Sequence, residues 1–285
     1  MFVAFLLKIA RVMSVVNLSE SYSHYAIVRE KMMNKIKILS LLPGLCLAST
    51  FALAQDVEAP ERYTYATYLK CDTSNEGAVD EYVAKYEVPV LDKLVDDGVI
   101  NGWGWLRHHT GGEWRRIRWV GTDSIDAAVA SMGNFAEAMQ KAYGEDGPDM
   151  GGSCSTHDDY IWKVEAGTAG KDRGEVGISV YFSCKITEEA RADEIVKENF
   201  APVYDKMVED GKLASWGWQS HVVGGWFRRL HTLTAADFET LMAARAEALE
   251  ITYAEDNEAG AEFAGICGGH QDYLWGIVHE KQASN

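Results

Sequence analysis

The chain has 285 residues, 47% of them hydrophobic, with 9 Trp, 13 Tyr and 9 Phe, and it carries 27 basic against 43 acidic side chains. That much apolar area excludes a chain disordered throughout. A net charge of −16 argues against nucleic acid and anionic membrane surfaces as partners.

Residues 1–31 precede a second start at Met32 or Met33 and read as an upstream over-extension of the reading frame. Their apolar run Met1 to Leu7 is interrupted by Lys8 and Arg11 too early for a membrane segment. Residues 32–54 have the three parts of a signal peptide: the basic start Met32–Lys37, the apolar stretch Ile38–Phe51 and the small-x-small site Ala52-Leu53-Ala54. Cys46 follows Leu45 rather than a small residue, which speaks against a lipid anchor. The expected mature protein is periplasmic or secreted, with no membrane contact after cleavage. Without residues 1–54 the chain keeps 21 basic and 41 acidic residues, a net charge of −20, and four of its five cysteines.

Those four cysteines expose a duplication. Cys184 follows Cys71 by 113 residues, and Cys267 follows Cys154 by the same 113. The ungapped shift also aligns Pro89 with Pro202, Trp103-Gly104-Trp105 with Trp216-Gly217-Trp218, and His108 with His221. Gly111-Gly112 falls on Gly224-Gly225, Arg115-Arg116 on Arg228-Arg229, and His157-x-Asp159-Tyr160-x-Trp162 on His270-x-Asp272-Tyr273-x-Trp275. One constant offset across so many rare residues marks a tandem repeat. The repeats are placed at 55–165 and 176–285, with a small and charged linker at 166–175.

Each repeat reads as the same series of elements. Tyr63–Cys71 and Ile178–Cys184 alternate as strands. Glu76–Asp97 has helical apolar spacing ended by Gly98, and Pro89 inside it predicts a kink or break. Asn101–His109 and Glu113–Val120 flank Gly-Gly as a hairpin. A second helix spans Asp123–Tyr143, or Ala235–Tyr253 in the second copy; after a loop comes a last strand, Thr156–Val164 or Gly269–Val278. The order β-α-β-β-α-β is the ferredoxin-like unit, with sheet order 4-1-3-2. Strands one and four are neighbours there, so the end of strand one lies beside the start of strand four. That selects the pairs Cys71–Cys154 and Cys184–Cys267, each worth about 4 kcal/mol by chain entropy.

A ferredoxin-like sheet covers one face with helices and leaves the other needing a partner. The fold class expected is therefore α+β: two tandem ferredoxin-like units packed sheet to sheet as an α+β barrel. This resembles the dimeric α+β barrel superfamily, here as an internal pseudo-dimer and a monomer, although no motif of a specific family is present. The resemblance implies haem-dependent enzymes, cofactor-free monooxygenases, cyclases, isomerases or small-molecule binding proteins, and fold alone chooses none of them.

The hairpin places Trp103, Trp105, Arg116 and Arg118 on one face, matched by Trp216, Trp218, Arg229 and His231. Aromatic and cationic groups in alternation suit the lining of a cavity for an aromatic or anionic ligand; the competing reading is a Trp-rich core whose arginines pair with carboxylates. The ligand-binding candidates are Trp105, Trp218, Arg116, Arg229, Arg118 and His231, with Tyr68 and Tyr181 facing the barrel interior. The catalytic candidates are His108 and His221, each beside an Arg that favours a neutral imidazole, and His157 and His270, each two residues before an Asp. His108 and His157 lie at opposite ends of one sheet, so no metal site is expected within a repeat. Asp92-Lys93 and Asp205-Lys206 read as solvated helix surface. The leading expectation is an exported protein that binds a small organic ligand between its halves without a cofactor. The alternatives are an α+β barrel enzyme, cofactor-free or haem-dependent, and an interaction module with a filled barrel. The copies diverge at Leu106/Gln219, Glu113/Trp226 and Arg118/His231, which predicts unequal sites.

Expressed with its leader and purified from the periplasm, the protein is expected to begin at Gln55 and to weigh four hydrogens less than the reduced chain. N-terminal sequencing and intact-mass measurement check both; an intact leader or free thiols would refute the export reading.

Overall fold

The computed structural model describes residues 61–145, 147–170 and 173–283, so the leader and residues 1–31 lie outside the described residues. In the first repeat, β1 (Tyr63–Cys71) leads into α1 (Glu76–Tyr82), a π-helical turn (Val83–Glu87) and α2 (Val88–Asp96). The hairpin β2 (Gly102–Thr110) and β3 (Arg116–Thr122), helix α3 (Ile125–Tyr143) and β4 (Cys154–Ala169) complete it. The second repeat runs β5 (Val176–Ser183), α4 (Glu189–Ile195), a π turn (Val196–Phe200), α5 (Ala201–Glu209), β6 (Ser215–Val223) and β7 (Arg229–Ala235). It ends with α6 (Phe238–Thr252), α7 (Glu258–Ile266) and β8 (Gly269–Gln282).

The eight strands form one closed barrel in the order β1-β3-β2-β8-β5-β7-β6-β4. Within each repeat the order is 4-1-3-2, as the ferredoxin-like reading requires, and both predicted disulfides are present at S–S 2.04 and 2.07 Å. The seams are antiparallel pairs between repeats: β2 with β8, and β6 with β4. Strand four is longer than its apolar pattern suggested. β4 continues to Ala169, into the segment expected to be linker, because Ala166–Ala169 pair with Trp218–Ser215 of β6. In the second repeat a helix, α7, stands where a loop was expected; Asn257 caps its first turn by accepting a hydrogen bond from the Gly260 N–H.

The expected kink at Pro89 and Pro202 takes another form. A proline cannot donate to the carbonyl four residues back, and its ring crowds that carbonyl. The turn ahead of it widens to π geometry, with the Val88 N–H on the Val83 carbonyl and the Ala201 N–H on the Val196 carbonyl, and the helix continues. This turn ends on Glu87 in one repeat and Phe200 in the other, and both side chains are buried.

Strand alternation sends two sets of side chains to opposite faces of the sheet. Inside the barrel Tyr160 stacks on Trp162 (centroids 4.9 Å apart), Tyr273 on Trp275 (5.2 Å), and Tyr68 meets Tyr181 edge-on at 5.6 Å. Trp114 and Phe227, from the segments after the two Gly-Gly turns, join this cluster. Gly111 and Gly224 have φ +138°, and a Cβ on either would meet the opposite repeat's last strand at 2.6 Å, so glycine is required by close approach as well as by the turn. Aromatic rings thus crowd the interior between the halves, where a ligand was expected.

The outer face of each half-sheet carries the helices. In the first repeat Val90, Leu91, Leu94 and Val95 pack with Trp103 and Trp105; in the second Ile195, Val196, Phe200 and Tyr204 pack with Trp216 and Trp218. Helix carboxylates tie the α-layer to the sheet. Asp80 accepts Nε and Nη2 of Arg116, both at 2.7 Å, and the Trp105 indole N–H at 2.8 Å. Asp193 holds Arg229 and Trp218 in the same way. Asp92 and Asp205, expected on the solvated surface, accept from the Trp103 and Trp216 indoles at 2.8 and 2.7 Å. Asp92 also meets His279 of β8 across the seam.

The Arg116 side chain is 1% exposed, so Asp80→Ala would remove the bidentate partner of a buried guanidinium and leave it Glu76 alone, at 3.2 Å. A loss of about 3 kcal/mol is expected, the low end for a broken buried pair, with Asp193→Ala, which leaves Arg229 to Glu189, costing a similar amount. Urea unfolding measures both; a loss below 1 kcal/mol would show that the clamp is not structural.

Candidate functional site

The largely apolar cavity that gathers sequence candidates lies in the second repeat, between the outer face of its sheet and the π turn, α5, α6 and α7, with a volume of about 250 Å³. Its walls are Phe182 of β5, Phe200 of the π turn, Tyr204 of α5, Trp218 of β6, Tyr253 just after α6 and Phe263 within α7. The polar groups that reach it are His231 of β7, Arg245 of α6 and His270 of β8. The Cys184–Cys267 disulfide fixes the end of α7 against the sheet, and Cys267 itself borders the space.

His231 lies 4.7 Å from Tyr204, ring to ring, and its Nε2 is buried without a hydrogen-bond partner among the described residues. Burial, and secondarily the Arg245 charge, hold its imidazole neutral, with a pKa down at about 3. Burial likewise raises the Tyr204 phenol, and pushes Tyr253 up to about 12. Arg245 gives one Nη2 bond to Asp272 at 2.9 Å; the other oxygen of Asp272 meets His270 Nδ1 at 2.7 Å. The sequence motif His270-x-Asp272 is thus an oriented imidazole at the cavity, tied through its carboxylate to an arginine that no motif singled out.

The first repeat fills the matching space. Arg118, at the position of His231, pairs at 2.9 Å with Glu87, at the position of Phe200, and lies 4.8 Å over the Phe135 ring. Met132 occupies the place of Arg245, and its sulfur lies 3.9 Å from the Arg118 guanidinium. An internally neutralised pair therefore stands in one copy where the other has a cavity.

The remaining candidates are dispersed. Trp105, Arg116 and Arg229 belong to the carboxylate clamps, and Arg118 to the pair with Glu87. Tyr68 and Tyr181 are inside the barrel, where Tyr68 accepts the Trp162 indole N–H at 3.1 Å. His108 lies in the β2–β8 seam opposite Trp275, and His221 in the β4–β6 seam opposite Trp162. Burial first, and then Arg115 or Arg228, depress the pKa of each; Arg228 donates to His221 Nδ1 at 2.9 Å. His157 is half exposed and 3.2 Å from Asp159. Of the sequence candidates only Trp218, His231 and His270 border the cavity.

Among the described residues no cluster of three His, Cys, Asp or Glu side chains is arranged to hold a metal. The cavity is below the roughly 300–1,000 Å³ usual for drug-sized ligands, and the Nε2 of His231 is enclosed by protein, so this imidazole is not placed to ligate a haem.

No family model matches the chain, and no curated protein matches it. Solved structures do share its fold. A Lactobacillus acidophilus protein assigned provisionally as a monooxygenase aligns over 78% of this chain and 97% of its own, with 9% identity and a TM-score of 0.54. A Fusobacterium nucleatum protein with the same provisional assignment aligns over 80% and 97%, with 8% identity and a TM-score of 0.51. A single-substitution variant of chlorite dismutase from Candidatus Nitrospira defluvii, in complex with cyanide, aligns over 78% and 92%, with 8% identity and a TM-score of 0.50. The chain therefore has the dimeric α+β barrel fold, with both halves in one polypeptide.

His231 is neutral when folded and titrates near 6.5 when unfolded, so the unfolded chain takes up the extra proton on acidification. Its contribution to stability is present above pH 6.5 and is lost as the pH falls towards 3; His108 and His221 act in the same direction. His231→Phe is expected to flatten the fall in stability between pH 7.5 and 5, measured by urea unfolding at both values. An unchanged slope would refute the buried neutral imidazole.

Proposed function

We propose that the protein is an exported small-molecule-binding α+β barrel whose working site is the cavity of the second repeat, and that its ligand is a compact aromatic molecule. The observation that carries this reading is the cavity itself: six aromatic side chains enclosing apolar space, with Arg245, His231 and His270 as its polar contacts. Sites of this composition bury a ring against apolar walls and orient it by a few polar groups. A dry cavity of about 150 Å³ admits benzene, so about 250 Å³ suits one or two fused rings. Two disulfides and the signal-like residues 32–54 support export. The fused barrel supports a monomer, since each repeat already supplies the other's missing half.

A second reading, an enzyme working without a cofactor, is favoured by one dyad. Asp272 holds His270 Nδ1, which leaves Nε2 as the atom able to exchange a proton with a bound molecule. His231 suits that role poorly, since a group with a pKa near 3 is a weak base at neutral pH. The two neighbours assigned provisionally as monooxygenases agree with this reading at the level of fold.

Native mass spectrometry on protein purified from the periplasm tests the proposal. A non-covalent adduct is expected in the wild type and in Ala136→Trp, the matching position of the first repeat. It should be absent in Leu249→Trp, which fills the cavity. An adduct that survives Leu249→Trp would place the ligand elsewhere and overturn the assignment.

A further inference from the structure

The two repeats keep different charge inventories in the same place. In the first, a cation from the strand, Arg118, meets a carboxylate from the π turn, Glu87, whose residue is only 2% exposed. In the second, the strand cation becomes neutral His231, the carboxylate becomes Phe200, and a new cation, Arg245, enters from the helix where the first repeat has Met132. The carboxylate of the π turn has gone, and Arg245, which meets only Asp272 among the described residues, stands beside open apolar space.

Arg245 is not fully spent on protein partners. Asp272 takes one Nη2 bond and shares its charge with His270, while Nε and Nη1 have no hydrogen-bond partner among the described residues. The side chain is 23% exposed and borders the cavity. A guanidinium offers five donors in a planar fork suited to a carboxylate, and a charged hydrogen bond is stronger in an enclosed apolar site than in water.

We infer that the ligand is an aromatic carboxylate, whose acid group occupies at Arg245 the role that Glu87 plays at Arg118 while its ring lies among Phe182, Phe200, Trp218 and Phe263. The anion comes from outside the chain in one repeat and from the chain in the other. Neutral His231 adds no competing charge and keeps the ring end of the cavity apolar. The inference rests on the cavity being the ligand site and adds the chemical class that it selects.

The test compares two probes with the same rings, 2-naphthoate and 2-naphthylmethanol, by isothermal titration calorimetry on the disulfide-intact mature protein. The wild type is expected to bind the naphthoate at least about tenfold more tightly, the order of one charge-assisted contact. Arg245→Met, which installs the first repeat's residue, should abolish that preference, so that the two probes bind within about twofold of one another; Arg245→Lys should restore part of it. Equal binding of both probes by the wild type, or a preference that persists in Arg245→Met, overturns the anion assignment and leaves the cavity reading intact. Binding of neither probe to a wild type whose unfolding transition is normal overturns both.

Discussion

A four-stranded ferredoxin-like sheet has two exposed edges and one bare face, and the rest of this structure depends on how both are satisfied at once. Strand two of each repeat takes strand four of the other as its neighbour, so the backbone groups of every edge find partners. The same closure brings two bare faces together and explains their residues. Tyr160, Trp162, Tyr273 and Trp275 lie on the seam strands and fill the interior, and the Gly-Gly turns let the hairpins pass within contact distance of them. The cavity of the second repeat lies on the outer side of this packed barrel, under the helices.

There the two copies have parted company. The clamps of Asp80 and Asp193 are superimposable in chemistry, down to the indole each one holds. Beside them, the first repeat buries an ion pair and the second keeps a cavity bounded by an extra helix. Replacing a buried pair with apolar groups can be nearly neutral for stability, so this exchange is open to a chain whose barrel is already held elsewhere. A homodimer of identical subunits could not make it on one side only.

Much of the architecture was legible because rare residues recurred at one offset. Cysteines, Trp-Gly-Trp and the final Trp strand fix topology, disulfide pairing and the direction of each hairpin face. The site was not legible in the same way, for a physical reason. Residues common to both repeats are those that both folds need, and here most of them proved to be clamps and barrel filling. Arg245, Tyr204 and Phe263 have no counterpart of their own type in the first repeat, so comparing the copies hid them. Trp218, His270 and the divergence of Arg118 from His231 were the visible traces. Where the extra helix would form was hidden too, since its nine residues replace a glycine-rich loop of equal length. The extension of β4 into its presumed linker depended on a partner strand in the other repeat, and no local pattern encodes that.

The π turn ahead of each proline has a consequence for which side chain faces the core. A helix advances about 100° per residue, and one turn closed over five residues instead of four delays that rotation once. Residues before Val196 and those after Phe200 therefore follow two different azimuthal phases along a single helix. Removing one residue from this turn would bring the phases together, rotating the inward stripe of the preceding segment away from the sheet. The aromatic wall at Phe200 is thus held in phase by a proline two residues further on, one that does not itself border the cavity.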